Sequence, residues 1–237
     1  MKVLIVGLPR SGTTYVQQLL RHYMKVPRSN ILIEPFRSSI GTEFPVITTK
    51  TPEEWLQSVE DVKQNGTIVK DHVHHYEMFE KETGQPFPYE IYDKFYKIKL
   101  LRSNFKSGVM SLVVSRKWGK YNDFKGDTIL SEQLYISQDL LTDAYKSQIK
   151  NYKKMEVFDK MQFDETVDYD DLTGDPGKDK EKFDFFRKTY YSGSGDKKEI
   201  EIQKRRPYTW TIENLAEVED WYKLLSSNRI YKRPLRA

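Results

Sequence analysis

Gly7 and Gly12 bracket four residues in the run KVLIVGLPRSGTT, and Thr13 and Thr14 follow directly. Successive backbone N–H groups around Ser11, Gly12 and Thr13 at a helix N-terminus form a concavity with positive partial charge. The hydroxyls of Ser11, Thr13 and Thr14 add donors, and Arg10 supplies a full charge. The spacing is that of a phosphate-cradling loop in which Thr13 replaces the lysine that reaches the β- and γ-phosphates of a triphosphate. The other reading of these residues is a plain glycine turn joining a strand to a helix.

Groups able to move protons stand further along. Glu34, in ILIEPF, falls at the expected C-terminal end of a strand, where α/β sheets place their ligands. His72, in IVKDHVHH, has an ordinary pKa of about 6.5, suited to accepting a proton near neutrality. Lys70, two residues earlier, adds a positive charge at the same strand end. Three of the four histidines, His72, His74 and His75, cluster here, but H-x-H-H with no further ligand nearby is a weak metal signal.

These groups need a frame that brings strand ends together. KVLIV is rich in β-branched residues, lacks polar alternation and ends in glycine, the mark of a buried parallel strand. Further strands are expected at 31–34, 67–70, 97–101 and 166–169. Helices are expected from Thr13 onward and over 51–62, 88–96, 104–118, 131–162 and 213–225, with Gly119 placed as a stop. Strands alternating with helices imply βαβ units and an α/β fold with a central parallel sheet in a three-layer α/β/α arrangement. No internal repeat or clear linker divides the chain, so 1–237 is expected to be one domain. Turn-rich charged runs at 173–182 and 192–198 mark the weakest order.

Composition is consistent with a folded protein. Of 237 residues, 38% are hydrophobic and 14% aromatic, which argues against disorder despite a mean hydropathy of -0.73. A net charge of +4 and a pI near 8.9 suit a small anionic ligand as well as nucleic acid and decide nothing alone. The basic clusters are scattered, which argues against nucleic acid. The absence of cysteine excludes disulfides, cysteine zinc sites and a thiol nucleophile. The apolar run Val3 to Val6 is too short for a signal peptide core or a membrane span, so a soluble, cytoplasmic protein is expected.

GLPRSGTT resembles the 5′-phosphosulfate loop of the sulfotransferases that use 3′-phosphoadenosine 5′-phosphosulfate (PAPS). Their pattern, proline, lysine or arginine, then Ser-Gly-Thr-Thr, is met by Pro9 through Thr14. Arg102, with Ser111 nine positions later, resembles the family's 3′-phosphate motif, although Ser103, Asn104 and Phe105 replace its usual Asn-Pro continuation. VDYDDLTGDP (167–176) resembles a Tyr-Glu-Asp-Leu segment that follows a late strand, with Tyr169 and Asp170 as structural support. The resemblance implies a P-loop fold and PAPS as donor, with adenosine 3′,5′-bisphosphate as product and no metal. It also implies a hydroxyl acceptor: a carbohydrate, a lipid, a tyrosyl group or a small alcohol. Lys204 and Arg205, in QKRRPY, are candidates for the basic loop that closes on the 3′-phosphate.

Two bases are open under this resemblance. Glu34-Pro35 resembles the catalytic Glu-Pro of carbohydrate sulfotransferases, while Lys70-x-His72 resembles the Lys-x-His of the cytosolic enzymes. Lys70 faces the donor in either case, with Arg10 at the 5′-phosphate. The segments 37–52 and 117–127 are expected to wall the acceptor site. The rivals are a P-loop kinase acting on a nucleotide or small hydroxyl compound, and a nucleotide-binding protein without catalysis. Thr13 weighs against the first.

Overall fold

A computed structural model describes residues 1–37, 39–40, 48–118, 133–154, 158, 160–174 and 212–227. They fall into two compact units, Met1–Ser103 with Lys154–Ser192, and Asn104–Lys153 with Gly193–Ala237.

The first unit holds a five-stranded, all-parallel sheet. Its strands are β1 (Lys2–Gly7), β2 (Ile31–Ile33), β5 (Ile68–His72), β6 (Phe95–Leu101) and β7 (Glu165–Asp168), in the order β2-β5-β1-β6-β7. A short antiparallel pair, β3 (Ser39–Ile40) with β4 (Thr48–Thr49), forms a separate ribbon within the segment 37–52 expected to wall the acceptor site. β1 is central because Val3, Leu4, Ile5 and Val6 are apolar on both faces and wholly buried. It pairs on one side with β5, setting Gly7 against His72, and on the other with β6, setting Gly7 against Leu100. The chain leaves β1 towards the β2 side and leaves β6 towards the β7 side. The C-terminal ends of β1 and β6 therefore flank a topological switch point, where open α/β sheets bind ligands.

Helix α1 (Thr13–Met24) packs on β1 and β5 through Val16, Leu19 and Leu20. Helix α2 (Pro52–Asn65) starts with a full capping box: Thr51 accepts from the Glu54 N–H, and the Glu54 carboxylate accepts from the Thr51 N–H, with Pro52 at N1. Trp55, Val59 and Val62 form its buried face. Helix α3 (Val73–Thr83) begins directly after β5 and stops at Gly84, whose φ of 67° is the left-handed cap that favours glycine. Sequence reasoning missed α3, because the polar run DHVHH reads as the end of a strand. Its buried Val73, Tyr76 and Phe79 supply the packing that makes it a helix.

Two expected helices differ. Residues 88–96 form only one 3₁₀ turn at Tyr89–Tyr92, because Phe95 and Tyr96 join the sheet opposite Lys2 and Val3. The expected helix over 131–162 is confined among the described residues to α5 (Gln138–Lys153), which starts where Ser137 Oγ accepts from the Leu140 N–H. After β7 a short helix, α6 (Tyr169–Gly174), carries the DYDDL segment.

The second unit contains α4 (Phe105–Trp118), α5 and α7 (Leu215–Ser227), with α5 packed on both others. Tyr145 meets Phe105 and Tyr222 edge to face, and Lys106 pairs with Glu219. Asn214 accepts from the Ile136 N–H and donates to the Ile136 carbonyl, fixing the entry to α7.

Candidate active site

β1 ends at Gly7, and the chain turns through Leu8, Pro9, Arg10 and Ser11 into α1. The turn is tight. Ser11 donates to the Leu8 carbonyl through both its backbone N–H (3.1 Å) and its hydroxyl (2.7 Å). Arg10 and Gly12 adopt left-handed backbone, at φ 67° and 84°. A Cβ on Gly7 would lie 2.4 Å from Ser11 Oγ, and one on Gly12 would lie 2.0 Å from the ring of Tyr169. The α1 ladder opens with the Val16 N–H donating to the Gly12 carbonyl, which leaves the Thr13 and Thr14 N–H groups ahead of it. No acidic residue occupies the first turn. This donor set fits a phosphate or sulfate: amides at the positive end of a helix, hydroxyls of Thr13 and Thr14, and Arg10 beside them. The Ser11 hydroxyl, expected to be a further donor, is spent on the Leu8 carbonyl and braces the turn.

Arg102 braces the loop from the end of β6. Its Nη1 donates to the Arg10 carbonyl at 2.8 Å, its guanidinium lies 5.0 Å from the centroid of the Tyr169 ring, and its Nε lies 3.6 Å from Asp170 Oδ1. Tyr169 also meets Tyr15 of α1 edge to face at 5.8 Å. Asp168 caps α6 by accepting from the Asp170 N–H and ties β7 to β6 by accepting from the Ser103 N–H. The segment after β7 thus supports the phosphate loop by direct packing. Ser111 lies within α4, in the second unit. Lys204 and Arg205 lie outside the described residues, as do 38, 41–47 and 119–127 of the segments expected to wall the site.

Glu34, Lys70 and His72 converge. The parallel register sets Ile33 against Lys70, so the residue after β2 reaches over the end of β5. The Glu34 N–H donates to the Lys70 carbonyl at 2.7 Å. Lys70 and His72, two apart in one strand, point to the same face, and both meet Glu34 Oε1: Lys70 Nζ at 2.5 Å and His72 Nε2 at 3.3 Å. Among the described residues no donor is paired with Oε2. The other ring nitrogen of His72, Nδ1, lies 3.1 Å from the Gly7 carbonyl. A carbonyl only accepts, so Nδ1 donates to it, and Nε2 is the nitrogen turned to the carboxylate. A carboxylate also only accepts, so the bond to Glu34 forms when Nε2 carries a proton as well. The same bond ties the Glu34 group to the first residue of the phosphate loop.

The electrostatics follow from that packing. Burial by itself would raise the Glu34 pKa, but the hydrogen bond and charge of His72, together with Lys70, outweigh it. The carboxyl is held well below the usual carboxylate range. Glu34 also has a φ of 52°, uncommon without glycine and opposed by Pro35, which pushes its predecessor towards extended backbone.

The opposite face of β5 carries Asp71, wholly buried and not singled out by sequence reasoning. Its Oδ1 accepts from the His72 N–H at 2.8 Å and is shared with His75 Nδ1. Burial pushes Asp71 up to about 8 and His75 down to about 3, which describes a buried pair that stays net neutral. His74 is driven down to about 2, by burial first and then by His75 and His72. The Asp-x-x-x-His spacing across a strand-to-helix turn was its only trace in the sequence. Among the described residues no group of three or more metal-ligating side chains is placed to hold an ion.

The α/β fold, with its loop at the switch point of a parallel sheet, is of the P-loop type. A family profile described as the sulfotransferase family matches residues 2–127, just over half of the chain, and the protein belongs to that family. The activity that goes with this membership is sulfuryl transfer. The matched stretch contains the loop, Glu34, Lys70, His72, Arg102 and Ser111. No curated protein gives a significant match to the sequence. Among the described residues no helix is long and apolar enough to cross a membrane.

Proposed function

We propose that the protein transfers the sulfuryl group of PAPS to a hydroxyl of its acceptor, with Glu34 as the base. The observation that carries this reading is the convergence of Glu34, Lys70 and His72 on one carboxylate oxygen, bonded through His72 to Gly7 of the phosphate loop. Gly12, Thr13, Thr14 and Arg10 take the 5′-phosphate in the turn that Ser11 braces, and Arg102 takes the 3′-phosphate. Ser111, Lys204 and Arg205 are assigned to the 3′-phosphate by the resemblance alone.

Glu34 Oε2 is the oxygen left to an acceptor hydroxyl. It takes the hydroxyl proton as the acceptor oxygen bonds to sulfur and the bond from sulfur to the 5′-phosphate oxygen breaks. The electron pair stays on that phosphate oxygen, where Lys70 and Arg10 stabilise it. Lys70 has two anionic partners in turn. While it rests on Glu34 the carboxylate is a weak base; as it turns to the leaving oxygen, Glu34 loses one of the cations that depress it. Proton uptake and leaving-group stabilisation are thereby coupled through one ammonium. His72, held between the Gly7 carbonyl and Glu34, keeps the carboxylate aimed. A carbohydrate, lipid, tyrosyl or small-alcohol hydroxyl fits this scheme as acceptor. Transfer needs charge at Lys70 and Arg10 rather than a metal ion.

Calorimetric titration with adenosine 3′,5′-bisphosphate, and separately with ATP and Mg²⁺, tests the donor. Binding of the bisphosphate that collapses in Arg102→Ala is expected. A preference for Mg-ATP that ignores Arg102 would replace this reading with a kinase.

A further inference from the structure

Lys50 stands directly after β4, at the far end of the excursion that Glu34 and Pro35 begin. Its Nζ donates to the Pro35 carbonyl at 2.5 Å and to Ser58 Oγ at 2.6 Å. Ser58 donates its own proton to the Glu54 carbonyl at 3.0 Å, so its oxygen is oriented to accept from the ammonium. The Lys50 ammonium also lies 5.4 Å from the centroid of the Trp55 ring. Trp55 and Ser58 both belong to the buried face of α2. The Pro35 carbonyl is therefore tied, through one half-buried cation, to a rigid helix whose start is fixed by a capping box.

That carbonyl belongs to the residue after Glu34. Glu34 holds left-handed backbone ahead of a proline, a conformation that persists only where the surroundings over-determine it. Its N–H is fixed by Lys70, and its carbonyl accepts from the Arg37 N–H at 3.0 Å. Neither bond fixes the orientation of the Pro35 peptide on its outer side, and Lys50 does. Burial works against a charged lysine here and lowers its pKa, while the charges of Asp71, Glu54 and Asp61 oppose that fall. A group held at such a cost fits a role in placement.

We infer that Lys50 is a positioning residue, clamping the Glu34–Pro35 turn to α2 so that the Glu34 carboxylate meets Lys70 and His72. The inference rests on the reading of Glu34 as the base, but its test does not rest on turnover alone. Lys50→Met keeps the aliphatic stem over Trp55 and removes the donors; Lys50→Arg keeps donors and charge. In Lys50→Met, kcat for sulfuryl loss from PAPS, to an acceptor or to water, is expected to fall by about 10²-fold, the scale of a small misplacement. The KM for PAPS and the bisphosphate Kd should stay within about threefold, since the loop is untouched. Lys50→Arg should recover most of the loss. The Glu34 carboxyl-carbon shift, followed by NMR against pH, should show its midpoint rising towards the ordinary range in Lys50→Met. Wild-type kcat with an unmoved Glu34 midpoint would overturn the inference, and so would equal loss of turnover and bisphosphate binding. If Lys50→Met does not fold, Ser58→Ala carries the same test with the same expected direction. A wild type that releases no sulfuryl group counts against the sulfotransferase reading, and the Glu34 midpoint then still decides the role of Lys50.

Discussion

Lys70 Nζ lies 2.5 Å from Glu34 Oε1, although 36 residues separate the two in the chain. The contact follows from the parallel register of β2 on β5, which sets Ile33 against Lys70 and lets the next residue fold over the strand end. An ammonium that is 2% exposed needs a carboxylate, and a carboxylate that is to act as a base needs that ammonium to leave. The chemistry proposed for the site is contained in that conflict.

Acid stability should report the Glu34 cluster. Its folded pKa is depressed from an unfolded value of about 4.3, so the stabilisation is present above that pH and is lost as pH falls through the folded value. The stability advantage of wild type over Glu34→Gln should hold at neutral pH and shrink below about pH 4. Urea unfolding at several pH values measures it.

Asp71 should show the opposite sign. Its folded pKa, about 8, is raised above an unfolded value of about 3.9, so its contribution is full below the lower value and is lost as pH rises towards the upper one. Relative to Asp71→Asn, wild type should therefore lose stability between these two values. The same urea series reads it, and a difference that is flat across that window contradicts the assignment.

Gly12→Ala should damage the loop from two directions. A left-handed backbone at φ 84° costs a residue with a side chain about 1–2 kcal/mol, and the added Cβ would overlap the Tyr169 ring. Thermal unfolding should fall accordingly, and bisphosphate binding should be lost. Tyr169→Ala in the same chain should recover part of the stability, because it removes the overlap but not the backbone cost.

Asp170 competes with any phosphate for Arg102. With Asp170 Oδ1 3.6 Å from Arg102 Nε, Asp170→Asn should tighten bisphosphate binding a few-fold, while Arg102→Ala weakens it at least tenfold. Calorimetry on the two variants distinguishes a nucleotide-binding Arg102 from one that merely braces Arg10.

The legible parts of the molecule were those with local signatures. The glycine spacing announced the loop, the unbroken apolar run announced β1, Glu34 was marked by its place at a strand end, and Lys70 and His72 by their resemblance to a Lys-x-His motif. Lys50 and Asp71 could not be. Lys50 acts on Pro35, 15 residues away across an excursion, and no spacing records that. Asp71 looked like a polar strand end because its partner, His75, lies on a helix whose packing face is mostly aromatic. The error over 88–96 has the same origin: Tyr89 to Tyr96 has a helical pattern, but β1 offers Phe95 and Tyr96 a sheet edge.

The most direct measurement is a single turnover with radiolabelled PAPS, following sulfuryl release in wild type, Glu34→Gln and His72→Asn alongside bisphosphate affinity. The account predicts loss of about 10²-fold or more in Glu34→Gln with affinity kept, and a smaller loss in His72→Asn. Full activity in Glu34→Gln, with the loss falling on His72→Asn, would contradict it and make the histidine the base.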